Sequence, residues 1–502
     1  MTFQVVWPKD PLARRGAEAL IAVTRLVPAS EATGEGLPAL VCGNSPAPRA
    51  APFVVRIPTG EQPDPRRGVQ WNQDRNGSQQ ELVASADVIQ WASRVLTLGE
   101  EVSSGIRDER GRFLARMSAL TSDGLLDMPV VDRVANSIRD ALRRALDAAS
   151  LPAVEVRPWP GGAPAAVCLT HDVDQVQKYS LYRLKEEALH PRPQFVSRAI
   201  RALRARAWPG VHTRDPFWTF TNIRQLENRV GATSAFYFGT VPDRQGLEYR
   251  LERSAELQTV VGDLARQGCE IGLHAHCGTS TDLGALRADK ERLDRFTPVP
   301  SEGVRQHDLR LHPPESWRHQ ANAGFSYDST VGFPDSCGFR AGTSFPYRPL
   351  PGHDDFWEIP MHLMDTTLKA YEKLEPDLAW RRVSKLLDEV LAVGGMLVAN
   401  WHNNTFDTEE RDPYAEVYTR LLLEASHRSA SFVLPREALS RWRACASLSF
   451  TGLQRVRDGW MFRLLAPYGA KEVKAEIRWA GSTNNVVIDT LPGHEVGLSA
   501  TP

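Results

Sequence analysis

Between residues 164 and 440, short apolar runs alternate with longer stretches of helical period. The runs are "AVCLTHD", "TSAFYFGT", "EIGLHAH", "EGVRQHDLRL", "FSYDST", "FWEIPMH" and "MLVANWHNN". They are short, β-rich and bounded by polar or turn-forming residues, which predicts strands. Between them, "TFTNIRQLENRV", "SAELQTVVGDLARQG", "LGALRADKERLDRF", "PESWRHQANAG" and "LAWRRVSKLLDEVLAVGG" place apolar residues at helical spacing. Strand–helix alternation predicts an α/β unit with parallel strands, and a barrel is its economical closure.

The flanks have a different texture. Residues 1–155 predict an N-terminal α/β accessory domain. Strands are expected at "LPALVCG" and "FVVRIPTG", and helices over "SQQELVASADVIQWASRVLTLGEE" and "MPVVDRVANSIRDALRRALDAAS". Residues 156–163, within "VEVRPWPGGAPAA", read as a Pro- and Gly-rich linker. From 446 to 502, "SLSFTGLQRVRDGWMFRLL", "KAEIRWAG" and "NNVVIDTLPG" alternate polar and apolar residues, which predicts a small antiparallel β domain. One basic helical stretch, "AIRALRARAWPG" at 199–210, reads as a solvated charged face.

Composition narrows the function. A chain of 502 residues, 42% hydrophobic and 24% charged, is long enough for several globular domains. The formal net charge of −1 argues against a generally basic nucleic-acid binder. Six scattered cysteines lack any C-x-x-C pair, so buried free thiols in a reducing cytoplasm are expected. The run "GAEALIAVTRLVP" contains Glu18 and Arg25 and is a poor secretory signal. No apolar run has the length of a transmembrane segment.

The chemistry sits where predicted strands end. "AAVCLTHDVDQVQ" closes a buried run on His171, Asp172 and Asp174. Capping or solvating a strand end needs one polar residue; acid–base and metal groups at carboxyl ends are the habit of α/β enzymes. "EIGLHAHCGT" carries His274 and His276, which share a face if the stretch is extended. "GVRQHDLR" carries Arg305, His307, Asp308 and Arg310, and "NWHNNTFD" puts His402 just after an apolar run. Carboxylate with imidazoles suits a first-row divalent ion.

In this order, the strand with Asp-x-Asp, "EIGLH", the Arg-bearing strand and the apolar strand with Trp-His resemble the polysaccharide deacetylase family. That family is also called the NodB-homology domain or carbohydrate esterase family four. The resemblance covers about residues 164–410. It implies a distorted (β/α) barrel and metal-dependent removal of an N- or O-acetyl group from an acetylated sugar or polysaccharide. By it, Asp172 resembles the general base, Asp174 the metal aspartate, His274 the first metal histidine, Arg305 the partner of the base and His402 the general acid. Trp401 and Asn403, beside His402, are expected to contact substrate. The run "RQHDLRLHPPESW" looks like a bacterial subgroup associated with surface polysaccharides. The sequence departs from the pattern twice. Val173 splits the usual adjacent aspartates, and Gly278 stands where the second metal histidine, four residues after His274, belongs.

The residue types suit the reaction on their own account. Acyl transfer to water needs a Lewis acid, here a divalent metal such as zinc, a base for the water and a proton donor for the leaving group. His276 and His307 compete for the missing ligand position. His307 is preferred, because strand alternation turns it the same way as Arg305, which must face Asp172. The rival readings are an amidohydrolase of a small non-peptide C–N substrate, a decayed carbohydrate-binding barrel, and an HD-type phosphohydrolase built on His171–Asp172 or His307–Asp308.

Overall fold

The computed structural model describes residues 3–29, 37–48, 51–63, 69–76, 79–179, 200, 215–243, 246–457, 459–479 and 482–500. The charged stretch 199–210 therefore lies, apart from Ile200, outside the described residues. Near the N-terminus, β1 (Gln4–Val6), β2 (Ala39–Cys42), β3 (Phe53–Ile57), β4 (Trp71–Asn76) and β5 (Gln79–Ala84) form a sheet ordered β1-β2-β3-β5-β4. All are parallel except β4, which returns along β5. Helix Val130–Ala148 buries Val134, Ile138, Ala141, Leu142 and Ala145 at three- and four-residue spacing, one apolar stripe on one face. "SQQELVASADVIQWASRVLTLGEE" is not one helix. Gln79–Ala84 is drawn into the sheet by strands on both sides, which outweighs local helical preference. Asp87 Oδ1 then accepts from Gln90 N at 2.9 Å and starts helix Val88–Leu96.

The expected linker also needs correction. Val156 and Arg157 belong to β6 (Ala153–Arg157), because Ala470–Trp479, near the far end of the chain, pairs with it. Sequence-distant pairing of this kind leaves no local mark.

The barrel strands follow: β7 (Ala166–Val173), β8 (Ala235–Phe238), β9 (Glu270–Ala275), β10 (Gly303–Gln306), β11 (Tyr327–Asp328), β12 (Trp357–Glu358), β13 (Leu363–Met364), β14 (Met396–Asn400) and β15 (Ser431–Phe432). They pair parallel throughout in the order β12-β11-β10-β9-β8-β7-β14-β13, with β15 beside the start of β7. β12 and β13 end this order on opposite sides, yet only residues 359–362 separate them in the chain. So short a link holds both ends close, and the sheet must curl. The link also bonds to both flanks: Met361 N–H donates to Val331 O at 2.9 Å and His362 N–H to Val398 O at 3.1 Å. The fold is α/β, a curled parallel barrel-like sheet with additional β sheets.

Beyond the barrel, β16 (Ser449–Val456), β17 (Gly459–Ala466), β18 (Ala470–Trp479), β19 (Ser482–Thr490) and β20 (His494–Ala500) are antiparallel, in sheets β16-β17-β20 and β19-β18-β6. β6 makes the second sheet a joint product of both flanks. The flanks also hold the barrel's amino end. Asp132, fully buried on helix Val130–Ala148, accepts from Thr343 Oγ1, Ser344 N (2.8 Å) and Ser344 Oγ. Ser344 O in turn accepts from Met396 N at the start of β14. The six cysteines are free and buried. Among the described residues no helix is long and apolar enough to cross a membrane.

Candidate active site

Alternation along β7 sorts "THDV" onto two faces. Thr170 and Asp172 point into the barrel, where Arg305 Nη1 donates to Thr170 Oγ1 and Asp172 Oδ1, both at 2.9 Å. His171 points outward, its ring bonded to Trp401 O at 2.8 Å and Glu227 Oε1 at 2.9 Å. His171 is thus a buried strut between strand and helices, which removes the His171–Asp172 dyad as a chemical unit. The second dyad fails similarly: His307 faces Asp174, while Asp308 takes the left-handed backbone conformation (φ 61°) and pairs with Arg112 at 2.7 Å.

Arg305 is fully buried with every arm used. Nε donates to Ser329 O and Nη2 to Ser329 Oγ, each at 2.9 Å, and the guanidinium lies 4.4 Å from the Tyr237 ring centre. Gly272 makes room for that ring: a Cβ there would sit 2.5 Å from Tyr237 carbons. Asp172 is clamped from its other side by Asn400, whose Nδ2 donates to Oδ2 at 2.9 Å while its Oδ1 accepts from Asp172 N at 3.1 Å. Burial raises the Asp172 carboxyl, but Arg305 and His274 outweigh it and hold the group below the usual carboxylate range. A buried carboxylate held ionised beside a fixed cation is a proton acceptor with fixed geometry.

Asp174 lies one step further out, with imidazoles around it. His274 Nδ1 is 3.1 Å from Arg305 O, so it donates there and turns Nε2 toward Asp174 Oδ1, 3.2 Å away. Those two buried atoms are acceptors without a donor among the described residues. His307 Nδ1 donates to Asp243 Oδ2 at 2.6 Å and turns Nε2 toward Asp174 Oδ2, 3.7 Å away. One ligand atom from each of Asp174, His274 and His307 lies within 4.8 Å of the others. The Asp174 carboxylate and the two imidazole Nε2 atoms converge, each imidazole fixed by a bond at its other nitrogen, an arrangement that fits a divalent cation once His307 gives up its proton. Burial works against charge, yet the histidines hold Asp174 well below the carboxylate range, and Asp174 and Asp243 hold His307 well above the imidazole range.

His402 closes the other side. Its Nε2 is 3.5 Å from Asp174 Oδ2, and its Nδ1 donates to Asp365 Oδ1 at 2.6 Å. Asp365 Oδ2 accepts from His402 N at 2.9 Å and from the Thr405 hydroxyl, so the carboxylate is itself fixed. Burial lowers the imidazole, but Asp365 and Asp174 carry it up to about 10, a cationic proton donor at neutral pH. Beside it a cleft of about 400 Å³ is lined by Phe217, Thr366, Lys369, Asn404, Asp407 and Asp412, among others.

The structure therefore brings Asp172, Asp174, His274, Arg305, His307 and His402 together at the carboxyl ends of the strands. His276 is not with them. β9 ends at Ala275, and His276 Nδ1 binds Asp289 Oδ2 at 2.6 Å, on the helix Leu283–Asp294. Gly278 sits against the His276 ring. Trp401 and Asn403 also differ from expectation. Both are fully buried: Trp401 Nε1 donates to Tyr414 O at 3.0 Å, and Asn403 Nδ2 to Gln175 O at 2.7 Å and Phe217 O at 2.9 Å. They shape the loop, and Asn404 lines the cleft instead. Asn400, Asp365 and Asp243 escaped the sequence reading. Asn400 precedes His402 by two residues on the same run, and Asp365 and Asp243 follow "LM" and "AFYFGTVP", so strand-end polarity was a usable signal.

No protein-family profile matches the sequence, and no curated protein matches it. Solved structures do. A Mycobacterium smegmatis protein assigned as a polysaccharide deacetylase is 19% identical over 56% of this chain and 90% of its own, with a TM-score of 0.39. A Parabacteroides distasonis protein assigned as a glycoside hydrolase/deacetylase is 14% identical over 65% of this chain and 85% of its own, with a TM-score of 0.35. A CE4 family pseudoenzyme from Bacillus anthracis is 10% identical over 55% of this chain and 65% of its own, with a TM-score of 0.31.

Proposed function

We propose that this protein is a metal-dependent hydrolase that removes an acetyl group from a carbohydrate. The observation that carries the reading is the bracketing of one ligand set. Asp174, His274 and His307 lie between a clamped carboxylate, Asp172, and a carboxylate-backed imidazole, His402. Asp174, His274 and His307 would hold a divalent ion such as zinc, which when bound would supply Lewis acidity for an acyl carbonyl and a water. Asp172 takes the proton of the attacking water, and Arg305 and Asn400 fix which oxygen lone pair receives it. His402 Nε2–H gives a proton to the departing amine or alcohol, while Asp365 stabilises the imidazolium beforehand. Thr366 and Asn404 offer polar contacts to a sugar in the cleft.

The acceptor character of the site disfavours a decayed binding barrel, since an empty set of buried acceptors is costly to keep. Buried free thiols suit a reducing, cytoplasmic setting. The test is acetate release from N- and O-acetylated sugars by the zinc-reconstituted chain. Release that disappears in Asp172→Asn supports the reading. Full zinc occupancy without release from any acetylated sugar overturns it.

A further inference from the structure

Residues 108–112, from the N-terminal region, form a tight loop in which Asp108 N–H donates to Arg112 O and Gly111 N–H to Asp108 O, both at 2.9 Å. Asp108 Oδ1 closes the loop by accepting from Arg110 N at 3.0 Å and Arg112 N at 2.8 Å. Just beyond it, Phe113 shares an apolar cluster with Leu126 and Phe333, and Ala115 N–H donates to Asp335 Oδ1 at 2.7 Å. The loop is thereby seated at the carboxyl end of the barrel. Gly111 (φ 79°) lets it lie against Arg310, since a Cβ there would sit 3.0 Å from Arg310 Nε. From this loop Arg112, only 5% exposed, reaches Asp308, the residue after His307. Its Nη1 donates to Asp308 Oδ1 at 2.7 Å and to Tyr371 Oη at 3.0 Å. Its Nε and Nη2 donate to Asp108 Oδ2 at 3.0 and 2.9 Å. A guanidinium fixed on Asp108 and Tyr371 is a rigid anchor for Asp308. Among the described residues both ion-pair partners of Asp308, Arg110 and Arg112, belong to the loop. The anchor has work to do, because Asp308 (φ 61°) and Leu309 (φ 50°) are both left-handed. L residues take that conformation against a steric cost, and it persists only where surrounding contacts hold it.

We infer that Arg112 is a positioning residue for the metal ligands: by holding Asp308 in its left-handed turn, it sets the backbone from which His307 directs Nε2 toward Asp174. Asp243 fixes the His307 ring, and Arg112 fixes the chain that carries it. The N-terminal region is then part of the active site. The inference rests on the assignment of His307 as a ligand, and not on the acyl chemistry proposed for the site.

The test is the zinc affinity of the full chain, read by competition with a chromophoric chelator, with the visible spectrum of the cobalt-loaded chain as a second readout. Arg112→Met is expected to weaken zinc about tenfold, as loss of a group behind a metal ligand does, and to shift the cobalt spectrum. Adding Asp308→Gly to Arg112→Met should restore most of the affinity, because glycine takes the left-handed turn without the steric cost. Asp132→Ala, which loosens the docking of a helix at the amino end, is the control and should leave zinc affinity and cobalt spectrum unchanged. Should Arg112→Met not fold, the single variants Asp308→Ala and Asp308→Gly carry the test. Both lose the carboxylate and only alanine keeps the steric cost, so alanine is expected to bind zinc about tenfold more weakly than glycine. Zinc held by Arg112→Met as tightly as by the parent, an equal loss in Asp132→Ala, no recovery on adding Asp308→Gly, or equal affinity in Asp308→Ala and Asp308→Gly each overturns the inference. A chain that shows these differences in zinc affinity yet releases no acetate supports the inference and overturns the deacetylase reading alone.

Discussion

The two ends of the barrel both bury carboxylates and put them to opposite use. At the upper, carboxyl end Asp174 Oδ1 and His274 Nε2 have no hydrogen-bond partner among the described residues, an arrangement that fits a cation. Asp172 is clamped there by Arg305 and Asn400, while Asp174 keeps an unused oxygen. Asp132, at the lower end, spends both oxygens on Thr343 and Ser344 and serves to dock a helix.

Removing a ligand is the severest way to break the upper end. Asp174→Ala and His274→Ala are expected to lose zinc, read by elemental analysis, and to release no acetate above background; full zinc in either variant would discard that ligand. Next come the proton-transfer groups. Asp172→Asn and His402→Ala should keep zinc and lower turnover by about 10²–10⁴-fold, and near-normal turnover in either would strip it of its role. The groups behind the imidazoles come third. Asp243→Asn should weaken zinc affinity about 10–100-fold through His307, whereas Asp365→Asn should lower turnover and spare the metal. The reverse outcome would exchange the roles of the two histidines. His276→Ala is expected to leave zinc affinity unchanged, and a metal-free His276→Ala would return this residue to the ligand set. The smallest effect sharpens the contrast from below. Asp132→Ala should cost about 1–3 kcal/mol in urea unfolding, from donors left buried, with zinc content unaltered.

How much of this could be read along the chain differs from residue to residue. Asp172, Asp174, His274 and Arg305 announce themselves as ionisable groups closing apolar strands, and period-two alternation already separates Arg305 from Gln306; His307 lies one residue past the end of β10, so alternation alone did not place it. The same rule, applied to "HDV", would have turned His171 away from Asp172. His276 misled because alternation holds only while a strand lasts, and β9 stops at Ala275. Trp401 and Asn403 misled because proximity to His402 in sequence says nothing of which side faces solvent.

Local pattern by itself determined the α/β alternation, the strand-end placement of the site and the antiparallel character of the C-terminal strands. These follow from side-chain periodicity and turn chemistry, which act over a few residues. Tertiary structure alone decided the rest. It brought His307, and not His276, beside Asp174 and His274 by placing β10 next to β9, and it set Asp243 and Asp365 behind the imidazoles. It drew Val156 and Arg157, the first residues of the expected linker, into β6 by pairing them with β18. Each depends on contacts between distant segments, whose energy arises only once the chain has folded and excluded water.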